Sequence, residues 1–166
     1  TKFADNGMNK FKSPYSFSKW QNTELVRFYC ELNKITYAIT YFYNVYGGRE
    51  NYQGEFATVI AKFLNRKELG QNLEVTLPGT QRRNFTHIND TIKALKLIAE
   101  DGEGDEFGIA HHESFSVIEV AKLISDKITF INESPANRLN SELITDKILA
   151  LGWKPTYSLE EYIKSK

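Results

Sequence analysis

Tyr15 and Lys19 stand four residues apart in P-Y-S-F-S-K, and at that spacing two side chains share one face of a helix. An ammonium held near a phenol favours the phenolate and lowers its pKa from about 10, which a tyrosine needs to act as a base near neutral pH. The same spacing also fits a plain surface pair. Ser13-Pro14 supplies the helix that must carry the two residues, with Ser as N-cap and Pro at the first helical position. Phe17, Trp20, Glu24 and Phe28, with Leu25, Tyr29 and Leu32 beside them, predict that this helix runs to about Leu32 with apolar residues on more than one stripe.

The segment 35–47, ITYAITYFYNVYG, is β-branched and aromatic with little polar alternation, so we expect a strand buried on both faces and closed by Gly47-Gly48. FATVIAKFL, 56–64, predicts a short amphipathic helix, LEVT at 73–76 a strand, Pro78-Gly79 a turn and RNFTHI a further strand. Asn89 or Asp90 is expected to cap a helix through Ile92, Leu95, Leu97 and Ile98, ended by the glycine-rich DGEGDE segment. FGIA then predicts a strand, Ser116 the cap of a helix over VIEVAKLI, and ITFI another strand. The tail reads as NESPANRLN loop, ELITDKILALGW with Gly152 as a C-cap, and a last helix SLEEYIKS. Alternating helices and strands give an α/β class, with no internal repeat or interdomain linker.

The chain has 166 residues with 21 basic and 21 acidic side chains, the proportions of one ordinary globular domain able to bury a core. A balanced charge removes the electrostatic footprint of non-specific binding to nucleic acid or an anionic membrane. No apolar stretch approaches a membrane span and the start lacks the order of a signal peptide. The single cysteine, Cys30, excludes a disulfide framework and fits a reducing compartment, so a cytoplasmic protein is expected. Cys30 itself reads as a buried small hydrophobe, and Trp20 and Trp153 as core or interface aromatics. His111-His112 sits at no metal-ligand spacing, since adjacent strand residues point to opposite faces, and no metal is expected. A start at Thr1 rather than Met leads us to expect a processed, trimmed or incomplete chain.

The capped S-P-Y-x-x-S-K helix, the strand ending Y-F-Y-N-V-Y-G, the segment G-T-Q-R-R-N-F-T-H-I-N-D at 79–90 and T-D-K-x-x-x-L-G-W at 145–153 occur in that order. In this the chain resembles the extended short-chain dehydrogenase/reductase family, in particular its NAD-dependent nucleotide-sugar epimerases and dehydratases, over essentially all its length. The resemblance implies the end of a Rossmann-like doubly wound parallel sheet at about 1–48 and, at about 49–166, mainly the smaller α/β substrate-binding domain. Tyr15 would then be the catalytic base and Lys19 its partner, also bonding the nicotinamide ribose, with Thr1 matching the Ser/Thr that completes the triad or being a terminal residue with no role. Phe42 and Tyr43 would lie at the nicotinamide end of the cofactor. Asn44 would contact the sugar nucleotide, or be an ordinary turn residue, and Arg83 would grip the substrate diphosphate with a fork that bonds two oxygens at once. Arg82 reads as a surface charge. Asn84 replaces the family's usual Asp, which calls the local salt bridge there into question, and Asp90 fits a structural N-cap. The family's R-P-G-D falls on Ser134-Pro135-Ala136-Asn137, so its arginine is gone; Arg138 either reaches the same diphosphate or is a solvated surface charge.

A nicotinamide enzyme of this kind needs a glycine-rich strand–turn–helix to hold the cofactor pyrophosphate. Neither Gly47-Gly48 nor Gly102 to Gly104 has that pattern, so the resemblance places the chain as the carboxy-terminal half of a longer enzyme. It implies 4-epimerisation of a UDP-hexose through a 4-keto intermediate, with NAD as hydride carrier and a homodimer packed through the first helix. A 4,6-dehydratase normally has Asp-Glu directly after the triad Ser/Thr, where this chain has Lys2-Phe3; it and a keto-sugar reductase are the alternatives. A non-catalytic sugar-nucleotide-binding domain is the alternative of another class.

Overall fold

The computed structural model describes residues 14–54, 56–132 and 143–166. The expected N-cap Ser13 therefore lies outside the described residues. Helix α1 spans Pro14–Asn33, followed by β1 (Ala38–Phe42), β2 (Val45–Tyr46), α2 (Val59–Glu68), β3 (Leu73–Thr76), β4 (Arg82–Asn84) and β5 (Thr86–His87). Then come α3 (Ile88–Asp101), β6 (Gly104–Ile109), β7 (Ser114–Ser116), α4 (Val117–Ile124), β8 (Ile128–Ile131), α5 (Asp146–Ala150) and α6 (Leu159–Lys164). The α/β class expected from the sequence is the one observed.

Four strand pairs form the sheet layer. Three are parallel, β1 with β6, β2 with β5 and β3 with β8, while β4 and β7 are antiparallel. The RNFTHI run divides here: Arg82–Asn84 pairs one way with β7 and Thr86–His87 the other way with β2, Phe85 being the buried joint. The 35–47 run likewise breaks into β1 and β2, and β1 is half-buried rather than buried on both faces. Its only strand partner among the described residues is β6. Helix α2 starts and ends later than expected, at Val59 and Glu68.

One core lies between α2, α4, α6 and β3, where Ile60, Phe63, Leu73, Val75, Val120, Ile124, Leu159 and Ile163 meet. In β3 the alternation is direct, Leu73 and Val75 inward and Glu74 outward, and full burial of such an aliphatic stabilises by roughly 1.5–3 kcal/mol. The second core joins α3, β6 and α5 through Ala94, Ile98, Phe107, Ile109, Ile148 and Trp153. Helix α4 begins with the expected Ser116, whose hydroxyl accepts from Glu119 N while Glu119 accepts from Ser116 N, a reciprocal capping box. Helix α5 ends at a left-handed Gly152 whose N–H bonds Leu149 O, with Trp153 N bonding Ile148 O. That double closure satisfies two carbonyls a helix end would leave bare.

Helix α1 buries no residue. Cys30 on it is half-exposed, which corrects the expectation of a buried small hydrophobe. What ties α1 to the sheet is polar: the Arg27 guanidinium bonds both Glu24 on its own helix and Asp105 on β6. Tyr41 on β1 joins through Asp105, and burial together with that hydrogen bond pushes its phenol well above the ordinary range.

The cap of α3 is His87, not Asn89 or Asp90: its Nδ1 accepts the Asn89 N–H at 3.2 Å. Asp90 falls in the first turn and does something larger. Fully buried, it accepts from Thr156 N at 2.7 Å, Thr156 Oγ1 at 2.9 Å, Tyr157 N at 2.9 Å and Lys93 Nζ at 3.3 Å. The Trp153 indole donates to its backbone oxygen at 2.9 Å. Asp90 thus fastens the segment 153–157 to α3. Burial alone would raise its pKa, but the donors from Tyr157, Thr156 and Lys93 outweigh it and hold the carboxyl below its usual value.

A depressed folded-state pKa gives stability that is present above the unfolded value, near 4, and lost as pH falls through the folded one. Asp90→Asn should therefore destabilise at pH 7 by roughly 2–4 kcal/mol, the cost of losing a charge with several buried donors. The gap from wild type should narrow below about pH 4, as followed by urea denaturation across pH.

Candidate functional site

Tyr15 and Lys19 lie on the first turns of α1, with Lys19 Nζ 5.8 Å from the centre of the Tyr15 ring. Both are exposed, so a ligand can approach the phenol directly. The helix backbone beneath them also receives side-chain donors, Ser18 Oγ to Tyr15 O at 2.9 Å and Thr23 Oγ1 to Lys19 O at 3.0 Å.

The strand that follows α1 ends in Phe42, exposed, and leads to Tyr43, which is buried. Asn44 then adopts a left-handed backbone, φ 35°, a conformation Asn tolerates better than other side chains. The turn lets its Nδ2 donate to Asn84 O at 3.1 Å while its own carbonyl receives Thr86 N at 3.3 Å. Asn44 is thereby stitched to β4 and β5.

On β4 the side chains alternate. Arg82 faces outward, where it bonds Glu119 at 3.1 Å and Ser114 Oγ at 2.9 Å, as expected of a surface charge. Arg83 faces a cavity of about 620 Å³ that Asn44, Gln81, Phe85 and Thr76 also line. Its Nη1 donates to Arg82 O at 2.8 Å, which fixes one side of the guanidinium. Across the cavity, α2 presents Lys62 and Arg66; Arg66 is bonded to Glu74 at 2.8 Å and to Asn72 O at 2.6 Å.

Glu50, Tyr52, Ala57 and Thr58 form another wall, and Glu50 closes it by accepting from Gly47 N at 3.0 Å and Thr58 Oγ1 at 2.5 Å. The hollow mixes apolar and polar side chains, with Lys62, Arg66 and Arg83 set among the carboxylates of Glu50 and Glu74, a lining that admits an organic ligand with polar groups.

Asn84 explains how β4 is held. Its carboxamide is buried and donates from Nδ2 to His111 O at 3.0 Å and Glu113 O at 3.1 Å. A carboxylate has only acceptors and could make neither bond. His111 and His112 do not point to opposite faces, as expected of strand neighbours, because the chain has left β6 and turns; their rings stack at 4.4 Å. Burial and the neighbouring His112 lower the His111 pKa, and its Nδ1 accepts from Glu113 N at 3.1 Å.

The structure thus forms two groups of the expected site residues, Tyr15 with Lys19 and Asn44 with Arg83, joined in sequence by Phe42 and Tyr43. Tyr15 and Lys19 do not line the cavity. Thr1 and Arg138 lie outside the described residues. Gln81, Glu50 and Lys62 were missed in the sequence. For Lys62 and Arg66 the signal was there, since with Asn65 they recur at helical spacing on the polar side of α2; for Glu50, in a loop, no periodicity exists to find it.

The model of the NAD dependent epimerase/dehydratase family matches residues 3–110. The chain belongs to this family. It is 34% identical over 158 residues to a putative UDP-glucose 4-epimerase of Methanocaldococcus jannaschii, covering 92% of this chain and 51% of that protein. It is 28% identical over 176 residues to the dTDP-D-glucose 4,6-dehydratase of Mus musculus, covering 98% and 48%.

A UDP-glucose 4-epimerase of Thermotoga maritima, solved with UDP-glucose, superposes with a TM-score of 0.85 at 27% identity, over 92% of this chain and 51% of that one. The fold is shared as well with a UDP-glucose 4-epimerase of Thermus thermophilus solved in complex with NAD, TM-score 0.83 at 23% identity, over 92% and 52%. The chain spans about half the length of the curated relatives it matches. The α/β elements are therefore those of a Rossmann-type epimerase/dehydratase, and NAD is the cofactor of the family.

In this epimerase/dehydratase chain Tyr15, Lys19 and Phe42, the residues expected at the nicotinamide end of that cofactor, are exposed. The paired glycines do not supply a pyrophosphate cradle: Gly47 and Gly48 lead into the loop before α2, and Gly102 and Gly104 into β6. A pyrophosphate needs a glycine turn that opens a helix.

Asn84→Asp, which restores the family's usual residue, should destabilise this chain by roughly 2–3 kcal/mol at pH 8, because a carboxylate would face two carbonyls. The loss should shrink near pH 4.5, where a protonated acid can donate one hydrogen bond; denaturant midpoints at the two pH values check it.

Proposed function

We propose that this chain is the substrate-binding and proton-transferring part of an NAD-dependent nucleotide-sugar epimerase that interconverts UDP-hexoses at C4. The observation that carries the reading is the cavity wall on which Asn44 and Arg83 stand together, reached from β1 directly after the helix bearing Tyr15 and Lys19. The 34% identity to a putative UDP-glucose 4-epimerase supports it. In this reading Arg83 binds the diphosphate, its fork matching two phosphate oxygens, and Asn44 orients the sugar. Arg138 is proposed as a second diphosphate contact and Thr1 as a further hydroxyl at the reacting group.

NAD, when bound, supplies reversible uptake and return of hydride at the sugar carbon. The Tyr15 oxygen takes the proton of the 4-hydroxyl as the carbinol becomes a ketone, and returns it after the sugar has turned over. Lys19, whose Nζ lies 5.8 Å from the centre of the Tyr15 ring, places its positive charge beside that ring. Phe42 and Tyr43 shape the nicotinamide end. The other half of the NAD site is proposed to belong to a glycine-rich segment outside this sequence, and the cytoplasm to be the compartment. No helix of the described residues is long and apolar enough to cross a membrane.

A split in kinetics tests the two residue groups. In the enzyme containing this chain, Tyr15→Phe should lower kcat by about 10²–10⁴ with NAD still bound, since only the proton-transfer oxygen is lost. Arg83→Ala should instead weaken UDP-sugar binding by roughly 1.5–3 kcal/mol, the range of a charge-assisted hydrogen bond. Near wild-type turnover in Tyr15→Phe would sink the catalytic assignment.

The intact enzyme is further proposed to be a homodimer through α1, whose Leu25, Val26, Phe28, Tyr29 and Leu32 are exposed. A helix with so much apolar surface is expected to pack against a partner. Sedimentation should show a dimer that Phe28→Glu converts to a monomer; a wild-type monomer at high concentration would contradict it.

A further inference from the structure

The two groups of expected site residues stand on different elements, Tyr15 and Lys19 on α1, Asn44 after β1 and Arg83 on β4. Proton transfer by Tyr15 to a ligand held at Asn44 and Arg83 needs α1 fixed in one place relative to β1. Apolar packing does not supply this. Helix α1 buries no side chain, and its exposed apolar residues lie on more than one stripe, so covering them singles out no one rotation.

A polar row on α1 does single one out. Glu24, Arg27 and Glu31 follow at steps of three and four, which brings them to one face of the helix. The Arg27 guanidinium bonds Glu24 through Nη1 and Asp105 on β6 through Nη2. Glu31 accepts at 3.2 Å from the hydroxyl of Tyr37, in the connection that leads into β1. The Arg27 and Asp105 side chains are 29% and 23% exposed, so the pair is screened less than one on the open surface.

Strand β6 is irregular where it meets this row. Between the pairs Ala38–Gly104 and Thr40–Phe107 it carries one residue more than β1. Glu106 there takes a left-handed backbone, φ 76°, which a residue with a side chain rarely adopts. A bulge re-aims a side chain, and a strained backbone persists where its surroundings hold it in place. Here they do. Asp105 accepts from Glu106 N at 2.6 Å, from the Tyr41 hydroxyl on β1 and from Arg27. Burial alone would raise its pKa, but these donors outweigh it and hold the carboxyl below its usual value. One carboxylate thus ties α1, β1 and β6 together.

We propose that Arg27 and Asp105 are positioning residues for proton transfer, their ion pair setting the rotation and axial place of α1 and with it the place of Tyr15 and Lys19 relative to Phe42 and Asn44. This rests on the reading of Tyr15 as the residue that moves the proton. Arg27 stands about 18 Å along the helix from Tyr15, so the pair acts through α1 and not on the reacting atoms. A slip of one residue turns a helix by about 100° and shifts it by about 1.5 Å, and a misplacement of that order costs up to about 100-fold in rate. A guanidinium shared by two carboxylates opposes such a slip because it fixes direction as well as distance.

Steady-state kinetics on the NAD-loaded enzyme containing this chain test it, with UDP-glucose as substrate and rates counted per bound NAD. Arg27 lies outside both cores, so Arg27→Gln leaves the fold standing. It should lower kcat roughly 10- to 100-fold. KM for UDP-glucose and NAD occupancy should change less than about twofold, because Asn44 and Arg83 stand on other elements. Asp105→Asn should do the same, and the double variant should fall no further, as expected of two residues that act as one unit. Arg27→Lys, which keeps the charge, should recover part of the loss. Once Tyr15→Phe has been shown to lose turnover, any of four results overturns this inference alone: an unchanged kcat per bound NAD, a loss that falls on KM or NAD occupancy instead, additive losses in the double variant, or no recovery in Arg27→Lys. Near wild-type turnover in Tyr15→Phe overturns the reading of Tyr15 and this inference with it.

Discussion

Two hydrogens on one nitrogen set the geometry on which the cavity depends. The Asn84 carboxamide spends both on the carbonyls of His111 and Glu113, while the Asn84 main-chain oxygen receives Asn44. Three stretches far apart in sequence meet at this residue. The strand it ends carries Arg83 inward and Arg82 outward, so a shift in its seat would move the wall and the outer ion pair together. An amide suits this place because it alone offers two donors from one buried atom without bringing a charge.

Around that seat, polar contacts organise the structure and apolar contacts hold it. The two cores build the layers, but the joints between segments are made by single polar groups: Arg27 between α1 and β6, Glu50 across the loop before α2, and Asp90 between α3 and the tail. Each is a charged group with two or more partners. Multiply bonded charges of this kind fix direction as well as distance, and a binding cleft needs its walls fixed to a fraction of an ångström.

Much of the fold was legible because its signals are local. The alternation in LEVT, the Ser116–Glu119 capping box and the glycine after α5 each lie within a few residues, and each gave its element correctly. The cap of α3 was misplaced because Asn89 and Asp90 are better cap residues than His87 by type, while the buried donors at 156 and 157 that claim Asp90 are remote in sequence. The same distance hid the work of Asn84, read as a mere loss of an acid. For the candidate site, Tyr15, Lys19, Asn44 and Arg83 stood out by type and motif. Gln81 did not, since an amide between a turn and two arginines has no pattern of its own, and only its unsatisfied oxygen in three dimensions distinguishes it.

The manner in which α1 is attached has a consequence for motion. With no buried side chain and an ion-pair cluster as its tie to β6, this helix has little to lose when it detaches, whereas α3 and α4 open only by exposing their cores. Backbone amides of α1 should then exchange with solvent through local excursions far below the free energy of global unfolding, and faster as added salt screens Arg27 from Asp105. Tyr15 and Lys19, proposed to transfer the proton, ride on this weakly protected element, and the cavity with Asn44 and Arg83 on the strongly protected one. A surface that covered α1 would therefore set the rigidity of Tyr15 without touching the cavity.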